Sequence, residues 1–231
     1  MIGIIGAMDS EVELLKKQLC DAKEIEKNGL IFYKGTIKGK DVVVVKSGIG
    51  KVNAALCAQL LIIVFGVKKI INTGIAGATG QNLGIFDFVV SEKVVYHDVN
   101  VVAFGYEKGQ LPGMNKFFVA DETMVEKTLS SFNKSDFSKE HKIVKGLIAS
   151  GDQFISSKEQ KDFIKTEYNP SCVEMEGCAI AHACFLNKIP FVIVRCMSDM
   201  ADETVESTYT FNEDVCAKMC SNLVLDMIGE L

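Results

Sequence analysis

The chain has 231 residues, of which 48% are hydrophobic, 24% charged and 8% aromatic, with no Trp, three Pro and a formal net charge of −5. So much apolar material excludes intrinsic disorder and is enough for a single α/β domain over residues 1–231, which would bury roughly 70% of its unfolded surface and need neither disulfide nor metal. The acidic balance argues against nucleic-acid and membrane-surface partners.

In chain order, Ile2–Ile5 reads as a buried strand and Ser10–Leu19 as a helix, with Ser10 and Glu13 spaced as a capping box. Leu30–Ile37 and Asp41–Lys46 form a hairpin around Gly39. Lys51–Phe65 is a helix that is apolar nearly all round, so it is either buried on two sides or part of a subunit interface. The interface is the better reading, because an outer helix of a small sheet has a solvent side to hide. Lys69–Thr73, Phe86–Ser91 and Lys93–Asp98 are strands, Asp121–Phe132 a helix, Ile143–Ser150 a strand and Lys158–Glu167 a helix. Ser171–Val173 is a short strand, Glu176–Asn187 a helix, Pro190–Met197 a long buried strand and Asn212–Leu231 a closing helix. No linker or repeat divides the chain, and the alternation predicts a three-layer α/β/α architecture with a mixed sheet. Ligands of such sheets sit beyond the carboxyl ends of the strands.

Met1–Met8 lacks the basic start of a secretory signal, and the longest uncharged stretch, Val52–Val67, is too short to span a bilayer, so a cytoplasmic location is expected. None of the eight cysteines forms a CxxC pair. Cys178 and His182 lie one helical turn apart with Cys184 beside them, but no second ligand pair has matching spacing, so a packed helix face is favoured over zinc.

Three acids stand at strand-to-helix transitions. Glu11 follows the first strand, Glu176 lies in Val173–Gly177, and Asp199 ends the most apolar strand after Arg195 and Ser198. Helix starts favour acids for their dipole alone, which accounts fully for Asp9 and Glu13 and competes evenly with function at Glu176. Asp199 and Arg195 are harder to explain that way, since buried polar groups are costly unless paired; an ion pair to Arg195 is the structural alternative. Two glycine turns, Ser47–Lys51 and Thr73–Gly77, follow apolar strands and would let backbone amides approach a ligand. Neither fits a dinucleotide or P-loop fingerprint. His97–Pro112 places Val101, Phe104, Tyr106 and Pro112 in a glycine-rich loop, where apolar side chains line a pocket or a partner surface. His97, His141 and His182 are too scattered for a triad, and no G-x-S-x-G elbow is present.

Seven ordered stretches, GIIGAMDSEVELL, KSGIGKVNAA, INTGIAG, YHDVNVVAFGYEKGQLPG, SGDQFI, VEMEG and VRCMSD, together resemble the 5′-methylthioadenosine/S-adenosylhomocysteine nucleosidases of the nucleoside phosphorylase/hydrolase superfamily. The resemblance covers nearly the whole chain and is least at Gln18–Leu30, Val119–Lys142 and Ala201–Thr210. It implies a phosphorylase-like fold and a homodimeric hydrolase of methionine salvage that needs no cofactor and cleaves the N-glycosidic bond of these thionucleosides. By the same resemblance Glu11 activates water, Glu176 holds the ribose hydroxyls, and Asp199, oriented by Ser198, protonates adenine N7. Glu174 and Met175 match ribose contacts; Phe154 stacks on adenine and Ile155 bonds it through its backbone. Met8 and Ile49 line the 5′-thio side, and Ile75, Ala76, Gly77 and Arg195 also border the substrate. Val101, Phe104, Tyr106 and Pro112 match a loop that reaches the partner subunit's pocket. The family commonly carries Ser where Ile75 stands, which implies a drier pocket wall. Its aromatic lid residue maps to Phe211 by local pattern and to Tyr209 by spacing from Asp199; Phe211 is preferred.

The chemistry needs such residues. Adenine is a poor leaving group as an anion, so N7 must gain a proton as the bond breaks. An aspartate can hold that proton near neutrality only if desolvated or hydrogen-bonded. The ribose becomes cationic, and nearby carboxylates stabilise it. The rivals are a phosphorylase of the same superfamily, for which Arg195 and Lys46 are the available phosphate donors, and a non-catalytic purine-nucleoside binding protein.

Overall fold

A computed structural model describes residues 1–80, 82–202 and 205–231, and for 205–211 the backbone alone. The described residues form ten strands and six α-helices, strands and helices interleaved along the chain. At the centre β1 (Ile2–Gly6) lies between β4 (Lys40–Lys46) and β5 (Lys69–Ala78), both parallel to it. These strands are continuous apolar runs because helices cover both faces of the sheet, the usual burial of parallel strands. Beyond β4 the sheet continues antiparallel through β3 (Leu30–Ile37) to β2 (Cys20–Lys27).

On the other side the sheet closes on itself. β5 pairs in parallel with β10 (Phe191–Asp199), β10 antiparallel with β6 (Phe88–Tyr96), β6 in parallel with β8 (Ile143–Ser150), and β8 in parallel with β9 (Cys172–Glu174). β9 returns antiparallel to β5, completing a five-stranded ring. β7 (Phe118–Val119) adds a short antiparallel pairing to β6. Inside the ring Val95, Leu147, Ala149 and Val173 form a small core, capped by Ile164 and Tyr168 of α4 (Lys158–Tyr168).

Helices α1 (Asp9–Lys17), α3 (Glu122–Lys134) and α6 (Val205–Glu230) pack together on one face; α2 (Lys51–Phe65) and α5 (Gly177–Asn187) pair on the other. The three-layer, mixed-sheet expectation therefore holds, with a ring that alternation alone does not reveal. Four local expectations change. The polar run CDAKEIEK predicts no element; it is the edge strand β2, with almost every residue exposed. The two strands expected over 86–98 are one, β6, with a bulge between Ser91 and Lys93 that reads in sequence as a break at Glu92. α6 begins at Val205 rather than at Asn212. The capping box sits two residues earlier: Met8 is the N-cap, Glu11 accepts its N–H, and Ser10 instead hydrogen-bonds Glu213.

α2 buries Ala54, Cys57, Ala58 and Leu61 against the sheet and α5, while Val52, Leu56 and Ile63 are each at least 60% exposed. Its apolar outer face continues onto Phe185 and Leu186 of α5, also exposed. Cys178 is buried on the face of α5, and His182 stacks on Phe118 with ring centroids 4.8 Å apart, so the expected helix-face packing is what these residues do.

Candidate active site

The strand register gathers the site at the mouth of the ring. Asp199 on β10 lies opposite Gly77 on β5, Gly77 opposite Val173 on β9, and Glu174 on β9 opposite Ser150 on β8. The carboxyl ends of β1, β5, β8 and β10 thus open onto one cleft, of about 550 Å³ including its open mouth. Glu11, Glu174, Glu176, Ser198 and Asp199 border it on the polar side, with Met8, Ile49, Ile75, Phe154, Ile155 and Met175 supplying apolar wall. Ala76 and Gly77 border it as well.

Glu11 owes its position to the early start of α1. One carboxylate oxygen accepts the N–H groups of Ala7 (2.6 Å) and Met8 (3.0 Å), and the other accepts Ile75 N–H at 3.0 Å. Burial still raises its pKa above the ordinary glutamate value, against the pull of Arg195 and those amides. A buried carboxylate of raised basicity, held rigid by three donors, suits a general base. Gly74 makes this arrangement possible. A Cβ there would overlap the Glu11 carboxylate and stand 2.9 Å from Arg195 Nη1.

Arg195 is 2% exposed and lies behind the cleft rather than along it. Its Nη2 donates to Glu174 and to Asn72 Oδ1 (2.6 Å) and stands 3.9 Å from Glu176 Oε2. The structural pairing weighed for this arginine is therefore real. Glu176 is the N-cap residue of α5, yet its side chain caps nothing; Oε1 instead accepts Gly50 N–H at 2.8 Å. Burial, and next the negative charge of Glu174, push the Glu176 carboxyl up to about 8.

Asp199 is held from both sides. Ser198 Oγ donates to Oδ2 and Ala201 N–H to Oδ1, each at 2.8 Å. Burial raises its pKa despite these bonds, the direction a proton donor near neutrality needs. Ala201 takes a left-handed φ of 51° to deliver that N–H. A Cβ on Gly77 would lie 2.8 Å from Asp199 Oδ1, so only glycine leaves room beside the acid. Asn212 of α6 donates to the Ser198 carbonyl at 3.1 Å and ties the closing helix to this strand end.

Phe154 is half exposed at the cleft and Ile155 buried beneath it. Val101, Phe104, Tyr106 and Pro112 do not border the cleft of their own chain, and Phe104 is 77% exposed. Phe211 and Tyr209, the alternative lid aromatics, lie outside the residues whose side chains are described. The lining also includes Ala7, Gln153 and Val173, which sequence reasoning did not single out although each lies within a motif stretch. The supporting side chains Ser150 and Asn72 were missed as well, because nothing local marks a residue that acts only through a neighbouring strand.

The chain matches the family described as the Phosphorylase superfamily over residues 1–229. It is 43% identical over 232 residues to a 5′-methylthioadenosine/S-adenosylhomocysteine nucleosidase of Staphylococcus epidermidis, with all of both chains covered. The structure of the nucleosidase of that name from Colwellia psychrerythraea, in complex with adenine, superposes with a TM-score of 0.96 at 43% identity, covering 100% of this chain and 95% of that one. The Neisseria meningitidis nucleosidase, in complex with methylthio-immucillin-A, gives 0.93 at 34% identity, covering 100% and 99%.

Proposed function

This chain belongs to the 5′-methylthioadenosine/S-adenosylhomocysteine nucleosidases of the phosphorylase superfamily, and from that premise we propose how its residues divide the reaction. It is an N-glycosyl hydrolase, cleaving methylthioadenosine and S-adenosylhomocysteine to adenine and the 5-thio-substituted ribose. Asp199, its pKa raised by burial, gives a proton to adenine N7 as the glycosidic bond lengthens. The electron pair of that bond leaves with the neutral purine. Glu176 binds the ribose hydroxyls, and the surrounding carboxylates stabilise the cationic sugar. Glu11 takes a proton from water as its oxygen attacks the anomeric carbon. Phe154 and Ile155 form the adenine slot, with Met8 and Ile49 toward the 5′-thio group.

The observation that carries this reading is the convergence of Glu11, Glu176 and Asp199, from three distant parts of the chain, on one cleft. The same cleft disfavours phosphate as nucleophile. Its guanidinium is committed to Glu174 and Asn72, and Lys46 pairs with Asp9 at 2.7 Å. Glu11, Glu174, Glu176 and Asp199 line the cleft where a phosphate would need cationic donors. Release of adenine from methylthioadenosine in phosphate-free buffer tests the assignment; a strict phosphate requirement would refute it.

The working unit is a homodimer. The exposed apolar face of α2 and α5 supports this, as does a loop carrying Val101, Phe104, Tyr106 and Pro112 that leaves its own cleft untouched and would complete its partner's. The enzyme acts in the cytoplasm, in methionine salvage. Eight free cysteines, seven of them buried, are consistent with a reducing compartment, and no described helix is long and apolar enough to cross a membrane.

A further inference from the structure

Glu174 resembles a ribose contact in sequence, but its surroundings give it another task. Its Oε1 accepts the hydroxyl of Ser150. Its Oε2 accepts Glu176 N–H at 3.1 Å, Gly177 N–H at 2.7 Å and the guanidinium of Arg195. Oε2 is filled by three donors and Oε1 holds one. The side chain is only 3% exposed, so its bonds go chiefly to the protein rather than to a sugar hydroxyl. Ser150 Oγ in turn accepts Cys178 N–H at 2.8 Å.

The first amides of α5, at residues 176 to 178, are therefore satisfied from below, by Glu174 and Ser150. An N-cap side chain ordinarily does this work. Glu176 occupies the N-cap position and is relieved of it, so its carboxylate can turn outward into the cleft. Glu176 keeps one backbone donor, Gly50 N–H, and retains accepting positions for substrate.

We infer that Glu174 is a positioning residue for the nucleosidase reaction: with Ser150 it caps α5 in place of Glu176, and with Arg195 it fixes the floor of the ribose site. The negative charge of Glu174 also reaches Glu176 and adds to burial in raising its carboxyl. Removing that charge, without removing the side chain, lowers the pH at which Glu176 ionises.

The inference rests on the nucleosidase reading, and the wild-type enzyme checks that reading first. If it releases no adenine from methylthioadenosine, that reading fails and the variants are not reached. With wild-type activity in hand, kcat/KM is measured against pH for Glu174→Gln, Glu174→Asp and Ser150→Ala. Glu174→Gln is expected to lower kcat/KM about a hundredfold, through misplacement of Glu176. It also moves the ionisation limb of Glu176 to lower pH by about one unit. Glu174→Asp keeps the limb where it is in the wild type. Ser150→Ala loses about tenfold, one hydrogen bond to a charged group, with the limb unmoved. A Glu174→Gln limb at the wild-type position overturns the inference. If that variant does not fold, Ser150→Ala decides: activity within about twofold of wild type overturns it, since a hydrogen bond to a charged group is worth more.

Discussion

Gly74→Ala is the sharpest test of how Glu11 is held. The added methyl would overlap the Glu11 carboxylate and stand 2.9 Å from Arg195 Nη1 and 3.0 Å from Glu11 Cδ. Neither neighbour can step aside without giving up a hydrogen bond. Glu11 is fastened by three backbone amides, and Arg195 by Glu174 and Asn72. The carboxylate must withdraw by about 1 Å, which gives up its bond to Ile75 N–H first and moves the base off the line of attack on the anomeric carbon. A displacement of that size costs about 10²-fold in turnover. Overpacking of a filled interior costs about 1–3 kcal/mol, which lowers Tm by a few degrees, about 3–10 °C, in a chain of this length. The assay is adenine release from methylthioadenosine alongside thermal melting. Gly84→Ala is the control, since among the described residues its only near neighbour is Asp87 Oδ2 at 3.8 Å. If Gly74→Ala keeps kcat/KM within about threefold of wild type, the account of Glu11 as a base fixed in place is wrong.

Asp199→Asn and Glu11→Gln are each expected to reduce hydrolysis by about 10²–10⁴-fold with the fold retained, judged by circular dichroism and steady-state kinetics; near-native turnover in either removes its assigned role. Glu176 titrates at about 8 in the folded protein against an ordinary 4.5, so the folded state holds more protons between those values. Its contribution to stability is therefore fully present below pH 4.5 and is lost as pH rises to about 8, with no further change above. Glu176→Gln should abolish that slope in urea midpoints measured across the window, and an unchanged slope would refute the shift. Leu56→Glu, on the exposed face of α2, is expected to turn a dimer into monomers in sedimentation and to lower activity by leaving the cleft without the partner's loop. A variant that stays dimeric moves the interface elsewhere.

The buried half of the molecule is the legible half. β1, β5 and β10 announce themselves as apolar runs because both faces are covered, and the acids at their ends stand out because polar groups there need a reason. Glu11 and Asp199 fall at such ends and border the same cleft. β2 is illegible for the opposite reason: an edge strand solvated on both sides carries no alternation. The bulge at Ser91–Lys93 splits β6 in sequence because a charged residue interrupts an apolar run, while the hydrogen-bond ladder resumes one residue later. Ring closure depends on β9, three residues long, bridging β5 and β8, and no local pattern encodes a pairing between strands so far apart. The roles of Ser150 and Asn72 are hidden likewise, since each is defined by a partner on another strand.

A closed loop of paired strands has no free edge along which one member can slide without disturbing the rest. Asp199 hangs from that frame directly and Glu11 is tied to it through Ile75 N–H on β5, so the spacing of acid and base is inherited largely from main-chain pairing. The wall toward the sulfur is made differently, by Met8 and Ile49 in connecting turns outside the loop of strands. Tolerance for new substituents on the sugar should therefore drift readily between relatives, while the geometry of bond breaking stays put. Directed changes of substrate range belong in those turns, where they leave the cleaving apparatus alone.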